Sequence, residues 1–125
     1  MVNNATKSDG QILKGLLDTL VLDVLRQGPN YGFGIRERLR SRLGEDAALV
    51  KEATLYPLLH RLEARGLLDA YHEPGQRGRP RKYYRLTLEG AAFLEGRIRE
   101  WRRIAALLGR TVLNTEQASD GEDKQ

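Results

Sequence analysis

The chain has 125 residues, 40% of them hydrophobic, with a formal net charge of +4 and no cysteine. That length suits one domain with a modest core, the missing thiols exclude disulfides and thiolate zinc sites, and no apolar run approaches the roughly 18 residues of a membrane-spanning helix. Such a composition fits a globular protein, and its basic balance favours polyanionic partners without saying which.

Residues 1–10 are polar and lack the apolar centre of a signal peptide, so they are expected to be a disordered tail on a cytoplasmic protein. Leu13, Leu16, Leu17, Leu20, Val21, Val24 and Leu25 then recur at the three- and four-residue spacings of a one-sided helix, which Gly28-Pro29 ends. Asn30 is placed to cap a second helix with Ile35, Leu39 and Leu43 inward, Arg36, Arg38, Arg40 and Arg42 mostly outward, and Gly44 as its stop. Residues 45–50 show no periodicity and read as a connector. Tyr31 and Phe33 are expected to pack into the core where the second helix begins.

A third helix carries Leu55, Leu58, Leu59 and Leu62 on one stripe, with Gly66 as its left-handed end and Leu67 folding back. With Thr54 as N-cap, Pro57 falls in the first turn, where no donor is needed, whereas a start near Lys51 would put a kink there; a start between residues 51 and 54 is expected. Leu68, Ala70 and His72 alternate with Asp69, Tyr71 and Glu73, and Tyr84, Leu86 and Leu88 alternate with Tyr83, Arg85 and Thr87; these are two strands of a hairpin. Thr87 is placed to cap a last helix, over about 88–113, whose Ala91, Leu94, Ile98, Trp101, Ala105, Leu108 and Val112 form a heptad seam. Residues 114–125 hold Glu116, Asp120, Glu122 and Asp123 against Lys124, a local net of −3, which leaves +7 on residues 1–113. That segment reads as a disordered acidic tail.

The fold expected is mainly α with a small β-hairpin: a winged helix-turn-helix over residues 11–88 and a C-terminal dimerisation helix over 89–113. Tyr56, His60, Arg61 and Ala64 point away from the leucine stripe, and such a face suits a major groove, where Arg reads guanine and hydroxyls reach phosphates. Alone, this helix is equally well an ordinary solvated surface. The loop Gly75-Gln76-Arg77-Gly78-Arg79-Pro80-Arg81-Lys82 decides between them, because four cations with no acid repel one another unless an anion neutralises them. A solvated tip, or a patch for an acidic protein or membrane surface, is the weaker reading once the loop is coupled to the helix before it.

Thr54-Leu55-Tyr56-Pro57-Leu58-Leu59-His60-Arg61-Leu62-Glu63, Gly66-Leu67-Leu68, Gly78-Arg79-Pro80-Arg81-Lys82-Tyr83-Tyr84-Arg85-Leu86-Thr87 and Glu89-Gly90 closely resemble the PadR family of bacterial transcriptional regulators. Leu16-Leu17-Asp18 and Asn30-Tyr31-Gly32 match its first two helices, so the resemblance covers about residues 12–113. It implies a winged-helix homodimer acting mostly as a repressor, with the third helix in the major groove and the wing on the minor groove. With one C-terminal helix, the chain resembles the short subfamily. Candidate DNA-binding residues are Lys51, Thr54, Tyr56, His60, Arg61, Arg77, Arg79, Arg81, Lys82 and Tyr83.

Dimerisation also follows from length. A last helix of that span would run close to about 40 Å at 1.5 Å per residue, more than a three-helix unit covers, and helix one has apolar surface to spare. Leu16 and Leu20 are expected to meet Leu94, Ile98, Trp101, Ala105, Leu108 and Val112 across a two-fold axis, on a pseudo-palindromic operator. Trp101 is read first as an interface packing residue and second as the wall of a cleft for a small planar apolar effector. His60 and His72 have no Cys, Asp or Glu at metal-ligand spacing, no phosphate loop or serine elbow is present, and Asp18 and Asp23 read as solvated or paired. Neither metal, cofactor nor enzyme activity is expected. A winged helix serving protein assembly is the alternative function; RNA binding is a third, weakened because A-form major grooves exclude helices.

Overall fold

The computed structural model describes residues 15–114. Leu13, the N-terminal tail and all of the acidic segment except Asn114 lie outside the described residues. Helix α1 covers residues 15–26 and buries Leu17, Val21, Leu22, Val24 and Leu25. Leu22 lies off the predicted stripe, so α1 is covered on more than one side. Gly28, at φ 146°, gives its N–H to Leu25 and turns the chain.

Strand β1, Asn30–Tyr31, was not anticipated. Asn30 sits in this strand rather than capping a helix: its Oδ1 accepts the Tyr31 N–H at 2.9 Å, and Tyr31 takes the N-cap position of α2 with no side-chain cap bond. Two residues are too few for a period-two signal; they are a strand only because distant residues pair with them, Asn30 opposite Tyr84 and Tyr31 opposite Tyr83. Helix α2, Gly32–Leu43, buries Ile35 and Leu39 and stops at Gly44, at φ 53°, as its sequence requires. The aperiodic connector is a 3₁₀ helix, Gly44–Leu49, followed by the buried Val50.

Helix α3, Glu52–Ala64, buries Leu55, Leu58, Leu59 and Leu62, each at most 1% exposed. Its N-cap is Lys51, whose carbonyl accepts Leu55 N–H at 2.8 Å, so Thr54 is the third helical residue and not the cap. Pro57 therefore stands inside the helix, on its exposed side, where it cannot donate to Ala53 and water can serve that carbonyl instead. The end is a Schellman motif: Leu67 N–H returns to Leu62 at 3.0 Å and Gly66 N–H to Glu63 at 2.9 Å, with Leu67 buried as the hydrophobic contact.

The sheet has three antiparallel strands in the order β1-β3-β2, not the two expected. Strand β2, Leu68–Pro74, and β3, Pro80–Leu86, pair in register from Leu68↔Leu86 to Pro74↔Pro80. Leu88 belongs to neither; it is 88% exposed as the first residue of α4, Leu88–Arg110. Thr87 caps α4 as predicted, its Oγ1 accepting the Gly90 N–H at 2.9 Å while its own hydroxyl donates to Gly66 C=O at 2.7 Å. Helix α4 ends before residue 113, leaving Val112 in a turn, because Thr111 bonds its hydroxyl back to the Leu107 carbonyl and Leu113 N–H reaches Leu108. By internal contacts the chain divides into two units, with the boundary between Leu94 and Glu95.

Two substitutions test this packing. Leu59→Ala is expected to cost about 2–5 kcal/mol in urea unfolding, since the side chain is fully enclosed. Gly90→Ala is expected to cost about 1–3 kcal/mol, because a Cβ there would lie 2.1 Å from the Leu67 carbonyl oxygen. A wild-type midpoint for either variant would show that the stripe or the junction is misplaced.

Candidate nucleic-acid interface

With its leucines buried, α3 turns Ala53, Pro57, His60, Arg61 and Ala64 outward, and Lys51 is exposed at its start. Tyr56 and Thr54 are half-buried. The Tyr56 ring lies over Gly32, where a Cβ would come within 2.5 Å of it, so the start of α2 and the face of α3 meet through a residue without a side chain. Arg61 leans toward α1, its guanidinium 4.0 Å from Asp18 Oδ1. Asp23, the other acid of α1, is paired with Arg42 at 2.7 Å and with Arg26.

The wing narrows to a turn closed by Gly75 N–H donating to Arg79 C=O at 2.6 Å. Arg77, at φ 62°, and Gly78, at φ 77°, follow one another in the left-handed region. For an arginine that conformation is costly, by about 1–2 kcal/mol, so the tip carries strain where its charge is most exposed. Arg77 and Arg79 project into solvent. Arg81 and Lys82 are placed differently: the Arg81 guanidinium lies 4.6 Å from the Tyr31 ring centroid, whereas Lys82 Nζ stands 3.2 Å from Glu63 Oε1 and 5.3 Å from the Tyr84 ring centroid. The Lys82 ammonium is held above its ordinary pKa, first by its hydrogen bond to Glu63, which outweighs the opposing effect of burial. Half-exposed ion pairs of this kind add only about 0–1 kcal/mol to stability, so the pair matters more for where the charge sits than for the fold.

Tyr83 is the centre of a row on the outer side of the sheet. Tyr31 lies 5.5 Å from it and Tyr71 5.7 Å, with Arg85 stacked 4.8 Å from the Tyr71 centroid. Tyr31 and Phe33 are thus not core residues: Tyr31 is half-buried on β1 beside Tyr83, and Phe33, in the first turn of α2 and 51% exposed, stacks on Tyr31 at 6.4 Å. Between α3 and the wing lies an open cleft of about 400 Å³, lined by Tyr31, Phe33, Tyr56, His60, Arg81 and Lys82 among others. The geometry therefore brings His60, Tyr56, Arg81 and Lys82 to one place, with Arg77 and Arg79 beyond it on the wing tip.

Of the residues expected at a dimer interface, Leu16 and Leu20 are half-buried, Leu94 is fully buried within its own chain, Ile98 and Trp101 are half-buried, and Ala105, Leu108 and Val112 are exposed. Ile104 and Leu107, 40% and 47% exposed, widen the apolar side of α4 beyond the heptad seam. Sequence reasoning also missed Glu63 and Asp18 as partners of the interface cations, and Tyr31 as the platform for Arg81. The β1–β3 register reveals Tyr31, the approach of the wing to α3 reveals Glu63, and the packing of α1 beside α3 reveals Asp18; no local spacing encodes them. Among the described residues no group of three or more side chains could hold a metal ion, and no helix is long and apolar enough to cross a membrane.

Packed helices ending in one with an outward face, followed by a β-hairpin wing, define a winged helix-turn-helix, a DNA-binding fold. Residues 21–96 match the Transcriptional regulator PadR-like family, and the chain belongs to that family. It is similar to a transcriptional regulator of Mycobacterium tuberculosis, 40% identical over 83 residues that cover 66% of this chain and 73% of the other. Among solved structures it resembles a transcriptional regulator from Clostridium thermocellum (TM-score 0.73, 30% identity, 82% of this chain and 98% of that one). It also resembles a PadR family transcription regulator from Clostridium difficile (TM-score 0.68, 35% identity, 76% and 96%).

The strained tip gives a test that needs no ligand. Arg77→Gly is expected to leave thermal stability unchanged or to raise it by up to about 1 kcal/mol, since glycine adopts positive φ freely. A lower melting temperature would mean that the Arg77 side chain itself holds the turn.

Proposed function

We propose that this PadR-like regulator acts as a homodimeric repressor on a pseudo-palindromic operator, placing α3 in the major groove and the wing on the neighbouring backbone or minor groove. The observation that carries this reading is the cleft where Tyr56 and His60 of α3 face Arg81 and Lys82 of the wing, with the exposed Arg77 and Arg79 further along the wing and Arg61 exposed on α3. Lys51, Thr54, Tyr56, Arg81 and Tyr83 complete the proposed contact surface, and Lys82 borders it from its place beside Glu63. The exposed Ile104, Leu107 and Leu108 support pairing through α4, with half-sites about one DNA turn, some 34 Å, apart. A planar apolar effector stacking on Trp101 would release the operator by favouring a dimer with a different angle between its recognition helices.

Selection of bound duplexes from a random pool tests the whole reading, and is expected to return an inverted repeat. Enrichment of no sequence would favour a winged helix used for protein assembly. Arg79→Ala is expected to weaken binding to all duplexes and to lower the slope of log K against log [salt] by about 0.9. Arg61→Ala should instead relax preference at particular base pairs, by about 1–3 kcal/mol each; a uniform loss would make it a phosphate contact. Leu108→Glu is expected to yield monomers in sedimentation and to abolish operator binding; an intact dimer would place the interface elsewhere.

A further inference from the structure

The wing bears four cations, and the structure does not treat them alike. Arg77 and Arg79 face solvent, Arg81 lies over the Tyr31 ring with Glu73 across the ladder, and Lys82 is drawn into an ion pair with Glu63 at 3.2 Å. Glu63 belongs to the last turn of α3, and Lys82 is on β3, opposite His72. Their approach does not depend on two long side chains finding each other. Gly66 and Leu67 lock the end of α3 to Thr87 at the end of β3, so the backbones are already held together a few residues away.

We propose that Glu63 is a specificity-determining residue: by holding Lys82 at its carboxylate, it keeps one wing cation off the DNA backbone, so that binding rests more on the α3 face. This rests on the DNA-binding reading above. A phosphate that drew Lys82 away would leave Glu63 as an uncompensated negative charge facing the duplex, so the pair contributes no net cation in either arrangement. Sequence-independent affinity grows with each cation that replaces a counterion, and base readout does not. An acid at this position therefore lowers affinity for random DNA without touching the groups that face the bases. Because the ion pair adds little to folding, Glu63 can be neutralised without losing the domain.

The test uses the full chain with Glu63→Gln, Lys82→Gln and the double variant, their fold checked by circular dichroism. Each is titrated by fluorescence anisotropy against a random-sequence duplex and against the duplex enriched by selection, over a range of salt. Glu63→Gln is expected to bind the random duplex several-fold tighter, to steepen the salt slope by about 0.9 per subunit, and to reduce the ratio of selected to random affinity. Lys82→Gln, which bares Glu63, should bind the random duplex no more tightly than the wild type, and the double variant, neutral at both positions like the pair, should return to the wild-type slope. Two results overturn the proposal while DNA binding stands: an unaltered slope in Glu63→Gln, or a slope steepened as much in the double variant, which has no Lys82 to release. A wild type that binds no duplex even at low salt would sink the DNA-binding reading itself, and Glu63 with it.

Discussion

The structure turns on a junction of four short segments, where the end of α3, the start of β2, the end of β3 and the start of α4 share backbone hydrogen bonds. Leu67 is held on both sides: its N–H closes the Schellman motif at Leu62, and its carbonyl accepts Thr87 N–H at 3.2 Å. Thr87 then fixes two further ends, donating its hydroxyl to Gly66 and capping α4 at Gly90. Gly90 must lack a Cβ because its Cα rides on the Leu67 carbonyl. Loosening any of these would free the wing from α3, and the spacing between the two determines what they could grip together.

On that frame, electrostatics is arranged by partner and not by count. A basic composition alone suggests an even coat of positive charge, yet acids claim part of it: Asp23 takes Arg42 and Arg26, Glu63 takes Lys82, and Asp69 takes Arg85 at 3.2 Å. Each exposed pair is worth little to stability. Their effect is to concentrate unscreened charge at the wing tip, where Arg77 and Arg79 stand, and near the N-terminus of α3, where Lys51 does.

Elements whose cause is local were legible in the sequence. The α3 stripe, its glycine stop with Leu67 returning, the Gly44 stop of α2 and the Thr87 cap all depend on residues within a few positions of one another, and each stands where the spacing puts it. What was misread has a distant cause. Asn30 looks like a cap by composition, and becomes a strand only because Tyr84 lies opposite it. Thr54 likewise has the chemistry of a cap, but the helix begins earlier because the Lys51 carbonyl is available to Leu55, and Pro57 is tolerated on the solvent side. The candidate site was legible as a list of cations and only in part as an arrangement, since the residues that restrain them, Glu63 and Tyr31, lie 19 and 50 positions away along the chain.

Helix α4 changes character along its length, and the magnitudes say what that demands. Leu94 is fully enclosed, whereas Ile104, Leu107 and Leu108 keep about two-fifths or more of their surface in water. Full burial of such a side chain yields about 1.5–3 kcal/mol, so covering the remainder gives roughly 1 kcal/mol each, or about 6 kcal/mol for three residues on each of two subunits. Association alone costs an estimated 4–15 kcal/mol. Those three residues alone would therefore only about break even if a second copy covered them, so the homodimer proposed above needs further apolar area, and Val112 and Leu113, 70% and 50% exposed, are the next apolar residues along the chain that offer it.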